Sequence, residues 1–341
     1  MRRKRVTMKD IAEKLGLSIN AVSLALNDRA GVGEETRKSI LDTAEQMGYL
    51  DQSPQYIQTY SNKNICIMLK HRFFRDFRFY GRILLGIEEE AKKSGYDVFM
   101  NSFEKEEIPA CVESRKVSGI VVVGKIEDSF LARLKEYGIP VMLVDHVSLE
   151  EPTDCVTSDS RLGAYKITSY MLSKGITRIG YFGDIEYTPS TLDRFLGYKE
   201  AMQDYLHLGT FKESMAYVDR FSALGNVEDY VINQDAEGMY EAFEKIEEKP
   251  DALFCSNDEL AVFLMKTLQG KDYMIPEDIG IVGFDDIELS SIVSPALTTV
   301  HVPKKLMGQK AMQRLLHRIS HPGGDIEKVV MGVEVVERES V

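Results

Sequence analysis

Two sets of residues in this chain have the types and spacing to do recognition chemistry. The first is a helical face between Ile19 and Asn27 that carries Ile19, Asn20, Ser23, Leu24 and Asn27, with no charge on it. Such a face can approach base edges closely. Asn pairs with adenine N6 and N7, and an aliphatic side chain packs on a thymine methyl. A helix–turn–helix used only for packing is the competing reading, since the unit is common. The second set follows short apolar runs. It comprises Lys70, His71 and Arg72 after ICIML, Asp145 and His146 after IPVMLV, Asn257 and Asp258 after DALFCS, and Asp285 and Asp286 after IGIVGF. In open parallel sheets, ligands bind beyond the carboxyl ends of strands. Carboxylates and amides there suit a polyhydroxylated ligand, whose hydroxyls both donate and accept. Each group alone reads equally well as a helix cap. Convergence on one cleft is what would make them a site.

The elements that must position these residues are legible in the periodicity. Thr7 and Asp10 form a capping-box start, and Met8, Ile11, Ala12 and Leu15 share one helical face. Gly16 breaks the helix, and Ser18 is placed to cap a second one with Val22, Ala25 and Leu26 inward. A third helix is predicted from Glu34 to about Met47, packing Ile40, Leu41, Ala44 and Met47, with Gly48 as its stop. Residues 51–63, DQSPQYIQTYSNK, lack an amphipathic period and read as a linker. From Ile65 onward, short Val/Ile-rich runs alternate with amphipathic helices in two successive series. That pattern predicts two α/β lobes with parallel sheets.

Length and charge bound the function. A chain of 341 residues is long enough for two or three domains. No apolar run approaches the roughly 20 residues of a membrane span, and no secretory h-region follows the basic start MRRKRV, so a cytoplasmic protein with no membrane partner is expected. The net charge of -12 suits a nucleic-acid binder only when divided along the chain. Residues 1–50 hold nine Lys/Arg against seven Asp/Glu, and four of the nine lie in the first five residues. A basic arm on an acidic body suits phosphate contact at one end, although a solvated basic tail reads the same. Cys66, Cys111, Cys155 and Cys255 lie far apart in sequence without CxxC pairing, so isolated thiols are expected and disulfides or zinc are not. The rivals are a two-lobed enzyme and a sugar-binding transport protein. There is no GxGxxG after the first strand, no Walker loop, no HExxH and no GxSxG, and no cofactor or metal is implied.

Over essentially its whole length the chain resembles the LacI/GalR family of bacterial transcription regulators. The segments that carry the resemblance include VTMKDIAEKLGLSINAVSLALN, VGEETRKSILDTAEQMGY, SDSRLGAYKITSYMLSKGITRIGYFG, RFLGYKEAM, PDALFCSNDELA and IPEDIGIVGFDDIELSSIVSPALTTV. The resemblance implies a homodimer whose paired helix–turn–helix units read a pseudo-palindromic operator, most often to repress. It also implies a two-lobed sensor, like a periplasmic sugar-binding protein, in which a small sugar-like effector changes lobe closure. Implied DNA contacts are Ile19, Asn20, Ser23 and Leu24 to bases and Thr7, Ser18 and Asn27 to backbone. Implied effector contacts are Phe79, Tyr80, Asp145, Arg194, Asn257 and Asp285, with His146 joining them from its place beside Asp145. The division implied is 1–50 for the DNA-binding domain, 51–63 for the hinge and 64–341 for the sensor. Within the sensor, one lobe spans about 64–158 plus 296–322 and the other about 159–295 plus 323–341.

Two departures from the family pattern and one basic loop bear on specificity. Leu24 stands where members commonly carry arginine, so bidentate guanine readout is absent and a thymine methyl is the expected target. The hinge segment SPQYIQTY offers Ile57 as the candidate minor-groove wedge, with an ordinary linker residue as the equal alternative. The loop KHRFFRDFR brings Lys70, Arg72, Arg75 and Arg78 to the pocket edge, which suggests an anionic effector unless nearby acids neutralise them.

Overall fold

The computed structural model describes residues 6–26, 31–49, 63–75, 77–207 and 209–341. Helix α1 (Met8–Leu15) starts at a closed capping box. Thr7 Oγ1 accepts from the Asp10 amide at 3.3 Å while the Asp10 carboxylate accepts from the Thr7 amide at 2.7 Å. Gly16 ends the helix at φ 66°, a left-handed conformation that costs glycine nothing. Helix α2 (Ile19–Leu26) begins behind Ser18, whose Oγ accepts from the Ala21 amide at 3.1 Å. Helix α3 (Glu34–Gln46) completes the unit, with Met47 as its C-cap. Ile11, Ala12, Val22, Ala25, Leu26, Ile40 and Ala44 form a core of their own. A core that small gives only marginal stability.

The first lobe is built on β1 (Asn64–Lys70), β2 (Asp97–Phe103), β3 (Gly119–Val123), β4 (Val141–Val144) and β5 (Asp154–Ser158). Between them run α4 (His71–Arg75), α5 (Phe77–Lys93), α6 (Ala110–Glu113) and α7 (Asp128–Lys135). The second lobe follows with α8 (Ser160–Ser173), β6 (Ile179–Gly183), α9 (Pro189–Leu206), α10 (Phe211–Phe221) and β7 (Ala223–Leu224). It continues through α11 (Glu228–Asn233), α12 (Ala236–Glu244), β8 (Ala252–Cys255), α13 (Asp258–Gln269), β9 (Gly280–Val282) and β10 (Thr299–His301). The chain then returns to the first lobe with α14 (Lys304–Ser320) and β11 (Lys328–Met331), and ends in the second with β12 (Glu334–Val336).

One sheet has the order β11-β5-β4-β3-β1-β2 and the other β7-β6-β8-β9, and every pairing within them is parallel. β3, β4 and β6 are buried along their length and β1 through its five central residues, which is why they read as unbroken apolar runs. Helices α5 and α14 cross with their backbones in near contact. A Cβ on Gly86 would press on the Lys305 carbonyl oxygen, and one on Gly308 on that of Ile83.

The exchange points between lobes differ from the expected division at two strands. β11 pairs with β5, so residues 328–331 lie in the first lobe's sheet, not the second's. Residues 298 and 301 bridge in parallel to 282 and 285, so β10 extends the second lobe and not the first. The run VVMGVEVVE is therefore two strands, one per lobe, split at Gly332 and Val333. The physical reason is edge satisfaction: β11 covers the open edge of β5, and β12 pairs antiparallel with β10. Three passages, near residues 159, 303 and 332, thus connect the lobes.

Candidate functional site

The amino-terminal unit presents the uncharged face as an exposed surface. Ile19 is half exposed and Asn20 is exposed, while Ser23 and Leu24 are half-buried. Leu24 Cδ1 lies close beside Gly31. Ser18 accepts its capping bond and keeps its hydroxyl proton to donate. Thr7 spends its proton on Asp10 Oδ2 at 2.6 Å, so its first task is to cap α1. Asn27 and Ile57 lie outside the described residues.

The cleft between the lobes holds a buried polar network. Asp145 follows β4 in the first lobe with φ 56°, and Asp285 and Asp286 follow β9 in the second with φ 115° and 53°. Non-glycine residues at positive φ are uncommon and gather at sites where the surroundings impose them. Arg194, on α9, is 3% exposed. It donates to Asp285 Oδ1 at 2.8 Å and to the Ser256 carbonyl at 2.6 Å, with its guanidinium 4.0 Å from the Phe284 ring centre. Its Nε, also buried, has no partner. From the first lobe, Tyr80 donates to Asp145 Oδ2 at 3.1 Å, and Phe79 meets the Tyr80 ring edge-on at 4.9 Å. Burial raises Asp145 to about 6 against the pull of Arg194, while bonds from Tyr80 and Ser190 favour its charged form. Burial also raises Asp285, although Arg194 opposes it. For Arg194, burial alone would favour loss of the proton, and the carboxylates of Asp285 and Asp145 outweigh it. One cation thus serves two carboxylates from opposite lobes.

Beside this network lies a cavity of about 400 Å³ with walls from both lobes. Arg72 and Arg78 come from the first, and Tyr187, Glu228, Gln234 and Asn257 from the second. Asn257 Oδ1 caps α13 by accepting from Leu260, and its amide lies 3.4 Å from Ser256 Oγ. Ser256 Oγ donates to Glu228 at 2.6 Å, and Glu228 also accepts from the Asp184 amide at 2.9 Å. Burial raises Glu228 to about 7. A hydrogen-bonded path therefore runs from the cavity wall through Ser256 to Arg194 and on to Asp285.

Of the residues singled out from sequence, Phe79, Tyr80, Asp145, Arg194 and Asp285 come together in the network, and Asn257 stands at the cavity. His146 does not join them. It is buried on the first-lobe side near Asp128, both ring nitrogens lack a partner, and burial lowers its pKa. Asp258 turns inward to hold the loop after β9. It accepts from the Ile287 amide at 3.0 Å and from the hydroxyls of Ser290 and Thr299, and burial raises it to about 7. Asp286 pairs with Arg338 at 2.6 Å and His301 at 2.8 Å. Lys70 pairs with Glu106 at 2.9 Å, and Arg78 with Glu259 across the cleft at 3.1 Å. Arg72 stacks between Phe73 and Tyr187, at 4.6 and 5.3 Å. Acids thus neutralise Lys70 and Arg78 but not Arg72, and the Arg75 side chain lies outside the described residues. Ser256 was findable from its place at the end of β8, whereas Glu228 and Tyr187 follow no motif. Among the described residues no His/Cys/Asp/Glu group could hold a metal ion, and no helix is long and apolar enough to cross a membrane.

The fold and the cleft define a two-lobed small-molecule receptor carried behind a helix–turn–helix unit. Comparison with known proteins agrees. The model described as bacterial regulatory proteins, lacI family, matches residues 7–52, and a periplasmic binding protein-like domain matches residues 168–341. The HTH-type transcriptional repressor PurR of Aliivibrio salmonicida is 28% identical over 350 residues, covering 98% of each chain. Among solved structures, a complex of the transcriptional regulator CelR with cellobiose aligns with a TM-score of 0.68 at 20% identity, covering 99% of this chain and 100% of that one. The lac repressor dimer bound to operator aligns with a TM-score of 0.66 at 21% identity, covering 99% of each. This chain belongs to the LacI family of bacterial transcription regulators. It is a DNA-binding transcription regulator.

Proposed function

We propose that the protein is a cytoplasmic, dimeric repressor of carbohydrate-utilisation genes whose hold on a pseudo-palindromic operator is set by a sugar-like effector in the interlobe cleft. Asn20 and Ser23 read base edges, Ile19 and Leu24 pack on thymine methyls, and Ser18 donates to a phosphate from the start of α2. Thr7 and Asn27 support backbone contact, and Ile57 supplies the wedge in the minor groove. Dimerisation is supported by β2, the edge strand of the first sheet, where the consecutive residues Phe99 and Met100 are 43% and 51% exposed.

The observation that carries the reading is the meeting of Asp145 from one lobe with Arg194 and Asp285 from the other, beside a cavity walled by both. A ligand that bonds to both walls binds closed lobes better than open ones, and only such a difference in affinity can shift the equilibrium between them. Phe79, Tyr80, Asp145, Arg194, Asn257 and Asp285 are assigned to this work, and Glu228 and Tyr187 join them. Because Arg78 already pairs with Glu259 and the carboxylate of Glu228 lines the same cavity, the cavity suits hydroxyls more than an anion.

The test is a gel shift with the gene's upstream region at two salt concentrations, together with calorimetry of neutral and acidic sugars. Salt-sensitive, sequence-specific retardation altered by one sugar supports the reading. Retardation that no sugar alters, or that persists without residues 1–60, refutes it.

A further inference from the structure

We propose that Cys66 and Cys111 form a reversible disulfide when the protein meets hydrogen peroxide, giving the first lobe an oxidisable dithiol site. The two are distant in sequence, and the fold brings their sulfurs to 3.7 Å, with Cys111 Sγ directed at Cys66 Sγ. Cys66 lies fully buried on β1, and Cys111 is half-buried on α6. Thiols already in contact need only a small shift to bond. Helix α6 is four residues long between irregular segments, so the move falls on backbone outside the main sheet. Cys155 and Cys255 are also buried and free.

The exposures divide the labour. Cys111 is the less buried of the two, so its sulfur meets the peroxide first and acts as the nucleophile. Its sulfur bonds to one peroxide oxygen, the O–O bond breaks, and the departing hydroxide takes a proton to leave as water. The Cys66 sulfur then bonds to the Cys111 sulfur, the S–O bond breaks, and the Cys66 proton leaves with that hydroxide as a second water. Two thiols lose two electrons and the peroxide gains them. Burial raises the Cys66 thiol, which holds it protonated and reserves it for the second step. The cross-link ties β1 to the segment that bears Glu106. That carboxylate pairs with Lys70 at the cleft end of the same strand.

The test uses the full chain, reduced, desalted and treated with hydrogen peroxide while folded, then unfolded, alkylated and peptide-mapped. The expected result is loss of two of the four alkylatable thiols, a linked peptide joining residues 66 and 111, and return of both thiols with dithiothreitol. Cys111→Ser abolishes the oxidation. Cys66→Ser leaves a Cys111 sulfenic acid that dimedone traps. The proposal is overturned if wild-type Cys111 passes to sulfinic acid with no linked peptide, or if all four thiols stay alkylatable. Mapping of the wild-type protein decides the question even where a variant misfolds.

Discussion

Replacing Arg194 with methionine removes a buried cation that pairs with Asp285 and acts electrostatically on Asp145, two carboxylates from opposite lobes. The side chain is 3% exposed, so water cannot take its place. Removing one member of a buried ion pair costs about 3–5 kcal/mol, chiefly because the remaining charge is left uncompensated. The bond to the Ser256 carbonyl and the contact with the Phe284 ring go with it, but these losses overlap and do not add. Against a total of about 5–15 kcal/mol for a domain, the variant keeps its fold with a narrow margin.

The pH dependence identifies the cause. Without Arg194, Asp145 and Asp285 are driven further toward the protonated form in the folded state. Holding a proton above the unfolded pKa costs up to about 1.4 kcal/mol per pH unit for each group. The deficit is therefore smallest near pH 5 and grows toward pH 8. Urea unfolding followed by far-UV circular dichroism measures it, since the chain has no tryptophan to report by fluorescence. Adding Asp285→Asn to the variant recovers part of the loss by removing a charge that lacks its partner. A deficit below about 1 kcal/mol, or one that stays constant with pH, would refute the shared-cation account.

Wild-type stability has its own pH window. Asp145 is raised to about 6, and Asp258 and Glu228 to about 7, so their stabilising contributions are complete below the unfolded values and lost as pH rises through the folded ones. Asp154 and Asp286 are lowered, their bonds to Arg318 and Arg338 overcoming burial, so their contributions disappear as the pH falls through the folded values. The melting temperature is thus expected to be higher at about pH 5 than at pH 8, and an optimum at pH 8 would contradict it. Asn20→Ala should cost about 1–3 kcal/mol at one adenine while leaving the salt slope of binding unchanged, as measured by operator titration at several salt concentrations. Leu24→Arg should move the preferred base opposite residue 24 from thymine toward guanine in a base-by-base operator scan. Gly308→Ala, which sets a methyl against the Ile83 carbonyl, should destabilise the first lobe by about 1–3 kcal/mol or more in urea unfolding.

The sequence made the amino-terminal unit legible almost to the residue because its signals are local. Thr7 with Asp10, Gly16 and Ser18 each fix a helix end through bonds within a few positions, and the structure places all of them in those roles. The lobes were legible as a succession of buried strands for the same reason. The exchange of segments was not, since the preference of β11 for β5 depends on which sheet edge lies open, and nothing in residues 328–331 records that.

The site divides along the same line. Asp145, Asn257 and Asp285 were findable because strand ends announce themselves. Their roles diverge through partners that lie far away in sequence. Asp258 has the same residue type and the same kind of position, yet it spends its carboxylate on Ile287, Ser290 and Thr299. His146 adjoins Asp145 and faces elsewhere. Glu228 opens the helix after β7, a two-residue strand too short to read from sequence, and it reaches the cavity because Ser256 and the Asp184 amide hold its carboxylate there. Strand topology therefore marks where a ligand can sit. Which side chains meet it depends on how each buried charge finds its partner, and here Arg194 is the partner that joins one lobe to the other.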